Sequence, residues 1–452
     1  MAEYPTYTAY KSSNIEWLGD IPEHWEVWKI THGFNIIGSG TTPKSDNPLF
    51  YDGCIPWVTT SELREKVITN TAQKVTKEAV ALHSALKIYP QGSLAIAMYG
   101  ATIGRLGILG VDATFNQACC VFSEPTVFDQ RFVYYWLWMR RPILISLSNG
   151  GGQPNLSQDD LKKLWIPIPG IREQQTIARF LDFKTAQIDT LISKQKALLD
   201  KLAEKRTALI SHAVTKGLDP SVKMKDSGVE WLGEIPHTWN VTRLRFLVKM
   251  SGGMTPSTNK PEYWGGDIPW VSPKDMKRDA INDSIDTLTE QALLDTNISL
   301  YEPNNVLIVV RGMILAHTFP VAINTVPVTV NQDMKVLSTS LDCEYLSLLL
   351  KGIQGLILSV VEESAHGTKV LRTDVFKNIY LPVPPKDEQK NIVKEIKKIT
   401  HLIDKQINSI SLLIARLQEY RSTLITSAVT GKIDVRDFSI PKQGESQQTE
   451  CA

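Results

Sequence analysis

The sequence predicts an α+β protein built twice. Two similar mixed α/β domains are each followed by a long helix, and the two helices form an antiparallel coiled coil with pseudo-two-fold symmetry. Three observations predict this. The chain repeats itself at a nearly constant offset, and each copy ends in a long run without glycine or proline that keeps a seven-residue apolar beat. The rest of each copy shows short apolar runs broken by turn residues.

The repeat comes first because it fixes everything after it. Ser13–Pro22 (SNIEWLGDIP) returns as Ser227–Pro236 (SGVEWLGEIP), and Trp25 returns as Trp239, at an offset of 214. Ile55-Pro56-Trp57-Val58 returns as Ile268-Pro269-Trp270-Val271, and Asn116-Gln117 as Asn331-Gln332. Ile166-Pro167-Ile168-Pro169 is answered by Leu381-Pro382-Val383-Pro384, Glu173-Gln174 by Glu388-Gln389, and Ala213-Val214-Thr215 by Ala428-Val429-Thr430. The unit of duplication is therefore about 215 residues. It divides the chain into a first domain at 1–169, a helix at 170–216, a second domain at 217–384, a second helix at 385–431 and a flexible C-terminal tail at 432–452. The paired tryptophans read as core packing.

Each domain carries short strands such as those within Ser93–Met98 and Val306–Val310, separated by turn clusters such as Gly38–Lys44. Each helix begins just after Pro169-Gly170 or Pro384-Pro385, where proline is tolerated. The predicted seam of the first helix is Leu181, Ile188, Leu191, Gln195, Leu198, Leu202 and Leu209. That of the second is Ile396, Ile399, Ile403, Gln406, Ile410, Leu413, Leu417, Tyr420 and Leu424. Ile192, Leu199, Ile407 and Ile414 widen the stripe. A helix of this length extends roughly 65 Å at 1.5 Å per residue. An antiparallel pair suits the order domain, helix, domain, helix, because a parallel pair would need a connection running back along the rod. From Arg172 to Arg206 eight bases face five acids, and the same ratio holds from Lys386 to Arg421, which reads as a solvated coiled-coil face.

Composition narrows the function classes. The chain has 452 residues, 49 Lys+Arg against 48 Asp+Glu, and a net charge of +1, which by itself argues against a lone basic nucleic-acid clamp. Five cysteines form no CxxC pair, so neither a disulfide framework nor a structural zinc site is expected. MAEYPTYTAYK has no basic-then-apolar pattern of a signal peptide, and no apolar run is long enough to span a membrane, so a cytoplasmic protein is expected. Catalytic motifs are missing: no GxxxxGK[ST], no HExxH and no GxSxG. Ile37–Thr42 (IGSGTT) reads as a turn, as does its counterpart Met250–Thr255. Asn47-Pro48-Leu49-Phe50 faintly resembles the Asn-Pro-Pro-Phe/Tyr loop of amino-methyltransferases, but the second proline is absent and no S-adenosylmethionine motif precedes it.

Taken together, the ordered motifs resemble the specificity (S) subunit of type I restriction-modification enzymes. They are EWLGDIPEHW and EWLGEIPHTW, GTTP and GMTP (Gly40–Pro43, Gly253–Pro256), IPWV in both halves and GGGQPNLSQDDLKKLWIPIP (Gly150–Pro169). REQQTIARFLD (Arg172–Asp182) and DEQKNIVKEIKK (Asp387–Lys398) complete the set. The resemblance implies that each domain is a target recognition domain reading one half of a bipartite site in double-stranded DNA. It implies helices that set the spacer between the halves and dock two methyltransferase (M) subunits, with restriction (R) subunits for ATP-dependent cleavage. Adenine N6 would be methylated by base flipping into a partner. No cofactor is expected in this chain; S-adenosylmethionine, ATP and Mg belong to the partners.

Direct base readout favours Arg and Lys for guanine, Asn and Gln for adenine, and hydroxyls elsewhere. Candidates in the first domain are Thr41, Thr42, Lys44, Thr60, Ser61, Tyr99, Arg105 and Gln153. In the second they are Thr255, Ser257, Lys274, Arg311, His317, Thr368 and Lys369. Asn116-Gln117 and Asn331-Gln332 recur in both halves, so they suit shared scaffold or DNA-backbone contact better than base reading. Two alternatives stay open on sequence grounds: a coiled-coil scaffold whose domains bind proteins, and a self-contained methyltransferase.

Overall fold

The computed structural model describes residues 4–146 and 155–440. The chain falls into two units, Met1–Lys194 with Leu412–Ala452, and Gln195–Ser411. In unit 1 a five-stranded sheet runs in the order Phe34–Ser39, Cys119–Pro125, Leu94–Ala97, Leu106–Leu109, Lys66–Ile68. Its neighbours are antiparallel except the last pair, which is parallel. Leu94–Ala97 is buried along its whole length, which is why it reads as an unbroken apolar run. A three-stranded sheet orders Thr114–Phe115, Tyr51–Val58 and Lys74–Val75. Trp165–Ile168 pairs antiparallel with Glu26–Lys29. Helix α1 (Gln130–Ser146) sets Phe132, Val133, Trp136 and Leu137 into the core.

Unit 2 repeats this plan. Its five-stranded sheet orders Val248–Gly252, Met334–Thr339, Val306–Val309, Val321–Asn324, Ala280–Ile281, and its three-stranded sheet orders Asp286–Leu288, Trp264–Val271, Thr329–Val330. Tyr380–Val383 pairs with Asn240–Arg243 as the counterpart proline-containing strand does in unit 1. Unit 2 also carries a hairpin, Val361–Glu363 with Lys369–Leu371.

The long helices are α2 (Ile171–Lys216) and, after helix α3 (Cys343–Gly352), α4 (Lys386–Val429). The recurrent Gln fastens each helix start to its domain. The fully buried Gln174 donates to the carbonyls of Val127 (3.0 Å) and Pro169 (2.9 Å) and accepts from Asp129 N (2.8 Å), just ahead of α1. Gln389 donates to Pro384 O (2.9 Å) and accepts from the N–H of Asp342 (3.0 Å), the N-cap of α3. The neighbouring Glu173 holds the N-terminal motif, accepting from Tyr7 Oη (2.7 Å) and Trp25 Nε1 (3.1 Å).

That motif is a socket for a helix end. In unit 2, α2 stops at Gly217, whose φ of +80° is the left-handed cap that glycine takes without a Cβ clash, and Pro236 and Trp239 lie against it. In unit 1 the end of α4 meets the first copy: a Cβ on Gly431 (φ +73°) would stand 2.3 Å from Pro22 Cδ. Trp25 and Trp239 are fully buried in these sockets, and Trp57 and Trp270 are buried as expected, but Trp17 is exposed. Its ring instead carries the Arg140 guanidinium, 3.6 Å from the centroid.

The seam departs from the predicted one at Leu191, Leu198, Gln406 and Leu413, which are exposed. Leu181, Ile188, Leu202, Leu209, Ile396, Ile403, Ile410, Leu417 and Leu424 are buried or half-buried, as a seam requires. Leu191 (47% exposed), Leu198 (42%) and Leu413 (41%) face outward, while Ile192 (9%) is buried and Leu199 and Ile414 are half-buried. Apolar side chains at both the third and fourth residue after each anchor leave the phase ambiguous in sequence, and the four-three alternation selects the later one. Ile399 is half-buried beside Thr400, so the same ambiguity stays mild there. Arg206 and Arg421, expected on the polar face, also lie on the inner stripe. Arg421 Nε meets Asp189 at 2.9 Å within unit 1, and Arg206 reaches Asp404 at 3.5 Å within unit 2. An early residue of α2 thus meets a late one of α4, and a late one meets an early one, so the strands of the pair are antiparallel.

The segment expected as a flexible tail is packed as far as it is described. Asp434 N donates to Pro5 O (2.7 Å), Val435 is buried, and the Phe438 ring stands edge-on to Phe180 at 5.1 Å. Apolar Val435 and Phe438 are the reason: they cap unit 1 beside the end of α4.

Candidate nucleic-acid interface

In each unit several of the candidate residues gather around the Asn-Gln turn. Asn116 Oδ1 accepts from Ala118 N (3.2 Å) and Asn331 Oδ1 from Asp333 N (3.1 Å), so the Asn of each pair shapes the turn. The adjoining Gln is exposed and joined to the glycine-threonine loop: Thr42 donates to Gln117, and Thr255 to Gln332. The loop glycine is dictated by close approach, since a Cβ on Gly40 would lie 1.6 Å from Phe115 O, and on Gly253 1.9 Å from Val330 O. The IPWV tryptophan steadies the loop from beneath, Trp57 Nε1 donating to Thr41 O (3.2 Å) and Trp270 Nε1 to Met254 O (3.0 Å).

In unit 1 the turn is reached by three further candidates. Val58 O accepts from Asn116 N (3.0 Å), which brings the end of its strand, and so Thr60 and Ser61, to the turn. Both lie within the Thr59–Glu62 capping box, and Ser61 Oγ bonds Thr59 Oγ1 at 2.8 Å. Met98 N donates to Ala118 O (2.8 Å), setting Tyr99 beside the turn, half-buried and bridged to Asn155. Arg105 is partly neutralised by Glu65 at 3.8 Å, a carboxylate it shares with Arg141. Lys44 is exposed in the loop, and Gln153 lies outside the described residues.

Unit 2 assembles its set the same way. Val310 N and Arg311 N both donate to Asp333 O (2.8 and 3.3 Å), and Gly312 N donates to Lys369 O (3.0 Å). Thr255, Arg311 and Lys369 therefore belong to one neighbourhood, with Thr368 beside Lys369 on the hairpin. His317 is exposed at the end of the turn Met313–Ala316, Lys274 is exposed after the strand that ends at Val271, and Ser257 accepts the Trp264 indole (3.2 Å). Lys369 is held by Glu363 at 2.7 Å. Met313, two residues from Arg311 and 62% exposed, has no readout signal in the sequence, being an isolated methionine.

What this frame is shared with decides its kind. A family profile described as the type I restriction modification DNA specificity domain matches residues 22–201 and again 236–412. The chain belongs to that family. Each match takes in one sheet assembly and most of one long helix. The type I restriction enzyme MjaIX specificity subunit of Methanocaldococcus jannaschii is 26% identical over 97% of this chain and 99% of that protein. The type I restriction enzyme EcoR124I/EcoR124II specificity subunit of Escherichia coli is 31% identical over 64% of this chain and 67% of its own length. A chain from a structure of type I restriction-modification complex assembly and conformational transition superposes with a TM-score of 0.71. It covers 90% of this chain and 98% of that one at 13% identity, a likeness of fold. A specificity domain of this family therefore places its sheets, its Asn-Gln turn and its glycine-threonine loop twice in one chain. Among the described residues no helix is long and apolar enough to cross a membrane, and no group of three His, Cys, Asp or Glu could hold a metal ion.

Proposed function

We propose that this chain is the non-catalytic, cytoplasmic specificity subunit of a type I restriction-modification system, each unit reading one half of a bipartite site in double-stranded DNA. The observation that carries the reading is the doubled specificity domain, with a Thr–Gln pair at each Asn-Gln turn, joined in unit 2 by Arg311 and Lys369. The helices set the unread spacer and dock two methyltransferase subunits. Outward Leu191 and Leu413 in unit 1, and Leu198 and Leu402 in unit 2, support docking, as exposed apolar side chains on helices otherwise rich in lysine. Those partners bring S-adenosylmethionine for adenine N6 methylation, and restriction subunits bring ATP and Mg for cleavage.

The test is methylation by the reconstituted complex on a randomised duplex library, read by sequencing. A split motif with a fixed gap is expected. Methylation without sequence preference would sink the proposal and favour a protein-binding scaffold.

A further inference from the structure

The two units offer an internal comparison: where the frame repeats and the side chain does not, the difference is free to carry specificity. One position stands out. The strands Leu94–Ala97 and Val306–Val309 hold the same central place in their five-stranded sheets. Just past each, Met98 and Val310 donate to the Asn-Gln turn at 2.8 Å, and their carbonyls accept from Leu156 N (2.7 Å) and Leu371 N (2.8 Å). The next residue makes an isolated antiparallel bridge in both units, Tyr99 to Asn155 and Arg311 to Val370. A glycine of positive φ follows each, Gly100 at +79° and Gly312 at +140°. The backbone is thus pinned on both sides at equivalent points, and the side chain is a phenol in one unit and a guanidinium in the other.

Arg311 is also uncommitted. Arg243 and Arg245 lie over Tyr380 and Phe246, and Arg278 and Arg372 pair with Asp283 and Asp374. Arg311 is exposed and, among the described residues, has no side-chain hydrogen bond, ion pair or ring partner. A charged fork left free on a rigid, repeated frame, one turn from exposed Gln332, suits bidentate donation to an acceptor pair such as guanine O6 and N7.

Resting on the function proposed above, we infer that Arg311 reads a guanine in the half-site of unit 2, and that Tyr99 holds the corresponding reading position in unit 1. The experiment compares wild type, Arg311→Ala and Arg311→Lys in complex with the methyltransferase subunits, on a library randomised across both half-sites. Both variants are expected to lose about tenfold or more of the preference for guanine at one position of one half-site, leaving the other half-site intact. Lysine keeps the charge but not the fork, so a phosphate contact would survive in Arg311→Lys. Unchanged motifs in both variants, or uniform weakening across all sequences, would overturn the inference while leaving the proposed function standing. A wild-type complex with no motif would overturn the function itself.

Discussion

At the scale of single residues, the strongest constraints are buried amides and close glycines, not the groups that face solvent. Gln174 and Gln389 each satisfy backbone groups at the junction of helix and domain, so replacing either by alanine leaves buried donors or acceptors unpaired. Gln174→Ala and Gln389→Ala should each cost about 1–3 kcal/mol, seen as a lower urea midpoint, with little change in far-ultraviolet circular dichroism. Asp434 gives a pH signature. The Arg436 hydrogen bond, despite opposing desolvation, holds its carboxyl below the ordinary aspartate range. A depressed folded value stabilises above the unfolded pKa, about 3.9, and is lost as pH falls through the folded value. Asp434→Asn should therefore be less stable than wild type at pH 7, by no more than about 1 kcal/mol for so exposed a partner. The gap should narrow as the carboxylate protonates in acid; a gap that does not narrow would assign the loss to another contact. The sequence made the recurrent Glu-Gln pair visible as a motif but could not say what it bonds, because its partners at 127–129 and 342 are distant in the chain.

At the scale of elements, the repeat and both long helices were legible, since glycine, proline and heptads are local signals. The phase of the seam was not. Consecutive apolar residues at 191–192, 198–199 and 413–414 satisfy either period, and only packing selects between them. Ile192→Ala should thus cost about 2 kcal/mol or more, whereas Leu191→Ala should change stability by no more than about 0.5 kcal/mol. Equal losses by thermal unfolding would return Leu191 to the seam. The candidate readers were legible as residue types in loops, but their convergence was hidden. The Asn-Gln turn gathers strand ends far apart in sequence, and internal pairing of Arg105 and Lys369 appears only in three dimensions.

At the scale of the whole molecule, a net charge of +1 sits beside membership in a family of DNA specificity domains. The charge balance gives the chain little net positive field for phosphate contact, which supplies most non-specific affinity. The isolated chain should bind duplex DNA weakly and lose that binding steeply with salt, with strong binding appearing only when partner subunits are added. Fluorescence anisotropy across a salt series measures this, and nanomolar sequence-specific binding by the chain alone would contradict it. The reciprocal ion pairs carry a different consequence. Asp189 and Arg206 on one helix correspond, across the repeat, to Asp404 and Arg421 on the other, and each acid meets the other copy's base. Such a pattern is self-complementary: one repeat holds both halves of the lock, as in an isologous dimer. Duplicating the unit within one chain therefore fixed by covalent linkage an association whose chemistry a single copy already contained.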